Sequence, residues 1–225
     1  MSQQTTLVIF CKRPLHGQGK QRIAATLGKD AAYQVACALL NCALEDSRSW
    51  PGPVVLSPGS ESDREWAEDL LLMQYQVVPQ CEGNLGHKLN YVDQLLRQQG
   101  ASRLLFIGTD APEHTERCYV EFDQLLQEHD IVLSPANDGG VTAMGGRQPW
   151  PALEGLPWST PALGEQLGQA CEASGFQVAF SSAGYDVDTE ADLHRLLNSL
   201  AHDLRPARQQ LLQLLKVLLD RKETG

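Results

Sequence analysis

The sequence predicts an α/β fold, one large domain around a mostly parallel sheet, and three observations carry that prediction. Short apolar runs at residues 6–11, 54–57, 75–78, 103–107 and 130–134 alternate with longer segments whose apolar residues fall at helical spacing. The run Leu104-Leu105-Phe106-Ile107 is apolar without interruption and bounded by turn residues, the pattern of a strand buried on both faces, which in an alternating chain is a central parallel strand. With 225 residues, 42% hydrophobic and 20% charged, the chain is long enough to bury a substantial core in one domain and has the balance of an ordinary globular protein.

Each element follows from its residues. Thr6 to Cys11 is rich in β-formers and should be the first buried strand. Residues 12–22 form a loop rich in glycine and base. Two phosphate-binding motifs fail there, because Pro14 stands where a Walker loop needs glycine and Arg22 stands where a dinucleotide fingerprint needs one. A mobile basic loop able to wrap phosphates and a solvated basic turn both remain open. Residues 29–45 carry Ala32, Val35, Ala36, Leu39 and Leu40 at helical spacing. Residues 60–72 read as a helix with Ser62 or Ser60 as N-cap and Glu65 fitting a capping box with Ser62. A glycine-punctuated turn at residues 80–89 opens a helix to about residue 99, where Gly86 and Lys88 could hold an anion at the helix start and His87 lies on the surface. Helices are expected at residues 116–127 and 162–174, an ordered aromatic loop lies between Pro149 and Pro161, and residues 177–180 make a late or edge strand. Thr189 can cap a helix running to Leu200.

Charge and cysteine content remove several function classes. A formal net charge of -10 argues against nucleic acid, whose binding needs many cations against phosphates. Before Asp30, however, Lys12, Arg13, Lys20, Arg22 and Lys29 occur with no acid, a local basic patch suited to a small anion. Six cysteines without a C-x-x-C pair suggest reduced, mostly buried thiols. No run is long enough for a membrane span, and the start lacks the segments of a signal peptide, so the expectation is a cytoplasmic protein.

Three groups of acids lie at strand ends. Asp110 falls just past the central strand, where open α/β sheets place ligands, and would suit a divalent cation holding a diphosphate; the plainer reading is a turn cap before Pro112. Asp138 precedes the paired glycines Gly139 and Gly140, which permit either close ligand approach or a tight hairpin. Alternation puts Asp186 and Asp188 on one side of the chain.

Taken in order, Phe10-Cys11-Lys12-x-Pro14-x-x-Gly17-x-x-Lys20-x-Arg22, Leu85-Gly86, Gly108-Thr109-Asp110-x-Pro112, Asp138-Gly139-Gly140, Trp158-Ser159-Thr160 and Asp186-Val187-Asp188-Thr189 resemble the bacterial glycosyltransferase-like family related to arsenosugar biosynthesis glycosyltransferases. That family is similar to GT-A nucleotide-diphospho-sugar transferases and, more distantly, to molybdopterin-cofactor-type nucleotidyltransferases. The resemblance spans about residues 7–197. It implies a single-domain, Rossmann-like GT-A three-layer sandwich over residues 1–200, and a transferase taking a nucleoside-diphosphate sugar with Mg²⁺ or Mn²⁺. Lys12, Gly17, Lys20 and Arg22, with Gly86, Lys88 and Thr109, would bind the nucleotide. Asp110 and Asp186 would hold the cation, while Asp138, beside sugar or acceptor, and Asp188 would serve catalysis. Lys20-Gln21-Arg22-Ile23 replaces the family's Lys-Thr-Arg-Leu, Asn84-Leu85-Gly86-His87-Lys88 replaces its acidic-Leu-Gly-Glu-Arg, and Val141 replaces the usual aromatic residue. A nucleotidyltransferase and a nucleotide-binding protein without turnover are the alternatives.

Residues 201–225 lie outside the resemblance and form an amphipathic helix. Leu204, Leu211, Leu215 and Leu218 share one face, widened by Leu212, Leu214 and Leu219, while Arg205, Arg208 and Lys216 are expected on a narrow polar face. Such a stripe is buried on its own domain or across a homodimer, and in either case away from the nucleotide site.

Overall fold

The computed structural model describes residues 4–70 and 75–223. Its chain forms two compact units, Met1–Arg13, Ser49–Gly108 and His114–Tyr185 in the first, and Pro14–Arg48, Thr109–Glu113 and Asp186–Gly225 in the second.

The first unit holds a seven-stranded mixed sheet. Its strands are β1 (Thr6–Cys11), β2 (Val54–Pro58), β3 (Gln76–Val77), β4 (Leu104–Ile107), β5 (Ile131–Pro135), β6 (Val141–Gly146) and β7 (Val178–Phe180), in the spatial order β3-β2-β1-β4-β6-β5-β7. Strand β4 lies in the middle with all four side chains buried, as its unbroken apolar run requires. Pairing is parallel for β1 with β2 and β4, β2 with β3, and β5 with β7, while β6 runs antiparallel to β4 and β5. The reversal has a local cause, since five residues between β5 and β6 can close only a hairpin and cannot make a parallel crossover.

Helices cover both faces of this sheet. On one face Val8, Phe106, Leu133 and Met144 pack with Leu89, Val92 and Leu96 of α4 (Leu85–Gln98) and Leu167 of α6 (Leu163–Ala173). On the other, Leu126 of α5 (Glu116–Glu128) lies against Gly145, where a Cβ would come within 2.8 Å of the leucine Cδ1. Register explains the division, because Phe106 pairs with Met144 and Leu105 with Gly145, and adjacent residues of a strand face opposite sides. The expected helix at residues 60–72 is shorter. A 3-10 turn over Glu61–Asp63 leads into α3 (Arg64–Asp69), and Leu71 and Leu72 lie outside the described residues. No Ser62–Glu65 capping box forms. Instead the Ser60 and Ser62 hydroxyls bond each other at 2.8 Å and Ser60 donates to Asp63 at 3.1 Å, local bonds that compete with a helical cap.

The second unit contains α1 (Gln21–Leu27), α2 (Lys29–Ser49, except its last residue), α7 (Glu190–Ser199) and α8 (Pro206–Glu223). Helix α1 was not anticipated; it is short and buries only Ile23, too little for a periodic signal. Helix α8 buries Ala207, Leu211, Leu212, Leu215 and Leu219 within the single chain. Two expectations for this segment are corrected. Leu204 precedes the helix and is 87% exposed, so the stripe begins at Ala207.

Arg208, expected on the polar face, is fully buried. Its Nη1 donates to the Cys42 carbonyl at 2.6 Å and to Glu45 at 3.1 Å, Nη2 donates to Asp46 at 2.6 Å, and Nε donates to the Pro112 carbonyl at 3.1 Å. Glu45 also accepts the Ala207 N–H at 2.8 Å, satisfying a free donor in the first turn of α8. Positions 208, 211/212, 215 and 219 share a face, as do 35, 39, 42 and 46 on α2, so Arg208 and Asp46 are buried by the geometry of their helices and must neutralise each other.

Two outcomes follow from this packing. Arg208→Ala should cost about 3–5 kcal/mol in denaturant unfolding because it strands buried Asp46, and adding Asp46→Asn should recover part of the loss. All six cysteines are free thiols, and burial pushes Cys11, Cys42 and Cys171 each up to about 12. A thiol reagent at pH 8 should therefore leave those three unmodified in the native protein and reach them after denaturation.

Candidate functional site

Three segments of the second unit meet. One is the loop before α1, in which Gly17 (φ 76°) and Gly19 (φ 69°) adopt left-handed backbone that glycine supports without strain. Lys20 then takes φ 43°, a conformation costly for a side-chain-bearing residue. The Gln21 amide ties this loop together by donating to the Gly17 and Gly19 carbonyls, both at 3.2 Å. The next is Thr109–Glu113, continuing from the end of β4. The third precedes α7, where Thr189 caps the helix, as its sequence suggested, and Asp192 returns the bond in a capping box and also accepts the Asp188 N–H at 3.0 Å. Val187 N–H donates to the Asp110 carbonyl at 2.9 Å, joining the last two segments through the backbone.

The side chains of these segments form a compact charge cluster. Lys20 Nζ lies 2.9 Å from Asp110 Oδ2 and 3.2 Å from Asp188 Oδ1, and donates to the Val187 carbonyl at 2.5 Å. Arg22 Nη1 stands 3.9 Å from the other Asp188 oxygen, and the Thr109 hydroxyl donates to Asp110 Oδ1 at 3.3 Å. Exposure separates the members. The Lys20 side chain is 8% exposed, Asp110 43%, Asp188 52% and Arg22 75%, so the acids and the guanidinium can meet a ligand while the ammonium is enclosed.

The sequence paired Asp110 with Asp186 as cation ligands, but the acid sharing the Lys20 ammonium with Asp110 is Asp188. Asp186 is half-buried, and among the described residues no group of three or more His, Cys, Asp or Glu gathers in a form that could hold a metal ion. The donor chemistry nevertheless fits Mg²⁺ or Mn²⁺. Two carboxylates and a carbonyl converge on one point, and hard cations of this kind complete their shell with water and substrate phosphate.

Lys12, Gly86, Lys88 and Asp138 belong to the first unit. Lys12 is exposed, with Gly59 beside its stem. Asp138 is exposed at the β5–β6 hairpin and accepts the Gly140 N–H at 3.0 Å, a turn role, while a Cβ on Gly139 would sit 2.0 Å from the Pro161 carbonyl. Gly86 is buried under the aromatic loop. A Cβ there would meet the Leu153 carbonyl oxygen at 2.2 Å and Trp158 Nε1 at 2.5 Å, and Asn84 and Asn90 donate to the Glu154 and Pro151 carbonyls to hold the same loop on α4. Close packing thus accounts for glycine at position 86. Sequence reading missed Arg208, which reaches Pro112, two residues past Asp110, and so makes α8 a neighbour of this cluster. The signal was present as an arginine on an apolar stripe.

The chain belongs to a bacterial family described as "Uncharacterized protein conserved in bacteria (DUF2064)", whose profile matches residues 40–160. No curated protein matches the sequence. Among solved structures, a protein from Desulfovibrio desulfuricans G20 provisionally described as a nucleotide-diphospho-sugar transferase superposes with a TM-score of 0.88 at 20% identity, covering 98% of both chains. The inositol-1-phosphate CTP transferase from T. maritima gives 0.54 at 13% identity over 95% of this chain and 96% of that one. Rv0371c from Mycobacterium tuberculosis H37Rv, in complex with manganese, gives 0.53 at 18% identity over 88% and 100%. At these identities the likeness establishes the fold.

Gly86→Ala should cost about 1–3 kcal/mol through overpacking, since the atoms in its way are backbone and ring and cannot swing aside. The check is a lowered melting temperature together with changed tryptophan fluorescence; an unaltered protein would refute the contact.

Proposed function

We propose that this member of the family is a cytoplasmic transferase that binds a nucleoside-diphosphate sugar with Mg²⁺ or Mn²⁺ and passes the sugar to a small acceptor. The observation that carries the reading is the cluster of Lys20, Arg22, Asp110 and Asp188, acids and bases with no packing reason to meet, whose carboxylates and guanidinium are open to a ligand. The described nucleotide-diphospho-sugar transferase of the same fold and the manganese complex of another neighbour support it.

In sugar transfer the bond from the anomeric carbon to diphosphate oxygen breaks, the acceptor oxygen bonds to that carbon, and negative charge grows on the departing nucleoside diphosphate. Arg22, exposed and bearing a planar fork of donors, would bind that diphosphate and offset its charge. Asp110, with Thr109 donating to one oxygen, would share a cation with Asp188, and the bound cation supplies further charge neutralisation at the phosphates. Asp188 can also take the acceptor proton.

A second reading, nucleotidyl transfer, is favoured by the fold shared with the CTP transferase. There an acceptor phosphate attacks the α-phosphorus and pyrophosphate leaves. Products separate the two. Incubation with Mn²⁺, a panel of nucleotide sugars and small hydroxyl acceptors should release nucleoside diphosphate, whereas the second reading expects pyrophosphate from nucleoside triphosphates with phosphorylated sugars; Asp110→Asn should slow nucleoside diphosphate release by about 100-fold or more without changing the circular dichroism. Release of pyrophosphate alone would establish the second reading, and tight binding without turnover would leave a binding protein.

A further inference from the structure

We infer that Lys20 is an internal cation that holds the place of the metal and admits it only when an anionic diphosphate draws the ammonium away. The inference rests on the proposed function and specifies how its site discriminates. Asp110 and Asp188 are the acids assigned to the cation, and the point on which they converge, together with the Val187 carbonyl, is the Lys20 Nζ. These are oxygens that a hard cation would use, and an ammonium in their midst repels any second positive charge.

Two further features set Lys20 apart from an ordinary ion pair. Its backbone is in the left-handed region at φ 43°, so the chain holds an unfavourable conformation that aims this side chain inward. Gly17 and Gly19, both at positive φ, lie within three residues and give the loop freedom to redirect it. Lys20 and Arg22, the two basic members of the cluster, are also treated differently. Arg22 is 75% exposed and can meet an incoming phosphate first, whereas Lys20 is 8% exposed and reaches a phosphate only by leaving the acids. A diphosphate arriving at Arg22 offers Lys20 a better-charged partner, and departure of the ammonium uncovers both carboxylates. Cation and diphosphate therefore bind as a pair, each raising the affinity for the other. The free protein, with its acids already neutralised, takes up divalent ions poorly.

The test measures Mn²⁺ binding to the full chain by the electron paramagnetic resonance signal of free Mn²⁺, with no substrate turnover involved. Lys20→Gly removes the ammonium and suits the positive φ; Lys20→Asn is a second neutral variant tolerated there. Without nucleotide, both should bind Mn²⁺ about tenfold or more tightly than the unaltered protein, within the range of coupled sites. Asp110→Asn added to Lys20→Gly should abolish the gain. Added CDP or UDP should strengthen Mn²⁺ binding more in the unaltered protein than in either variant. If the neutral variants bind Mn²⁺ no more tightly, Lys20 is only a structural ion pair and the inference is overturned, while enhancement by CDP or UDP in the unaltered protein would still uphold the metal and diphosphate site of the proposed function. Absence of Mn²⁺ binding in every protein, with or without diphosphate, overturns both.

Discussion

One buried guanidinium constrains the second unit more than any other group. Arg208 must be neutralised and hydrogen-bonded because it has no access to water, and its partners come from two separate stretches of chain. Asp46 and Glu45 tie α8 to the end of α2, and the bond to Pro112 ties both helices to the segment bearing Asp110. A hydrophobic residue could fill the same volume, and buried ion pairs are seldom net stabilisers. What an apolar side chain cannot do is select one register of α8 against α2 and hold a particular carbonyl beside the acid cluster. Specificity of arrangement is the property that this arginine contributes.

The cluster itself follows a different electrostatic logic. Lys20 is enclosed while its acidic partners and Arg22 remain open to solvent, so the pair energies are screened and modest. Weak, rearrangeable contacts suit a binding site, as a deeply buried pair like Asp46 and Arg208 would not. The division of basic residues also has a chemical reason. Lysine presents a compact charge on a long stem that can move between carboxylates and phosphate, whereas arginine presents a planar fork suited to holding phosphate oxygens in place.

Much of the first unit was legible. The run at residues 104–107 located the middle strand because only a strand flanked on both sides and covered on both faces can bury four consecutive side chains. The Thr189 cap was equally local. The failures have local causes too. Serines 60 and 62 bonded each other in place of a helix start, and α1 buried one residue and left no period to detect. In the C-terminal segment, the leucine stripe identified the buried face, but reading arginine as solvent-facing overrode its position on that face.

By itself, then, the sequence determined the α/β class, the central strand, most of the helices and the Thr189 cap, because each depends on periodicity and hydrogen bonding over a few residues. Tertiary structure alone decided that β6 enters the sheet between β4 and β5, that Asp188 rather than Asp186 shares an ammonium with Asp110, and that Gly86 serves close packing under Leu153. It also decided that Lys20, in a loop of similar basic residues, is the one turned onto the acids. These outcomes join residues as far apart as Lys20 and Asp188, and which of several equivalent charges meets which depends on the path of the backbone between them, information that no local pattern carries.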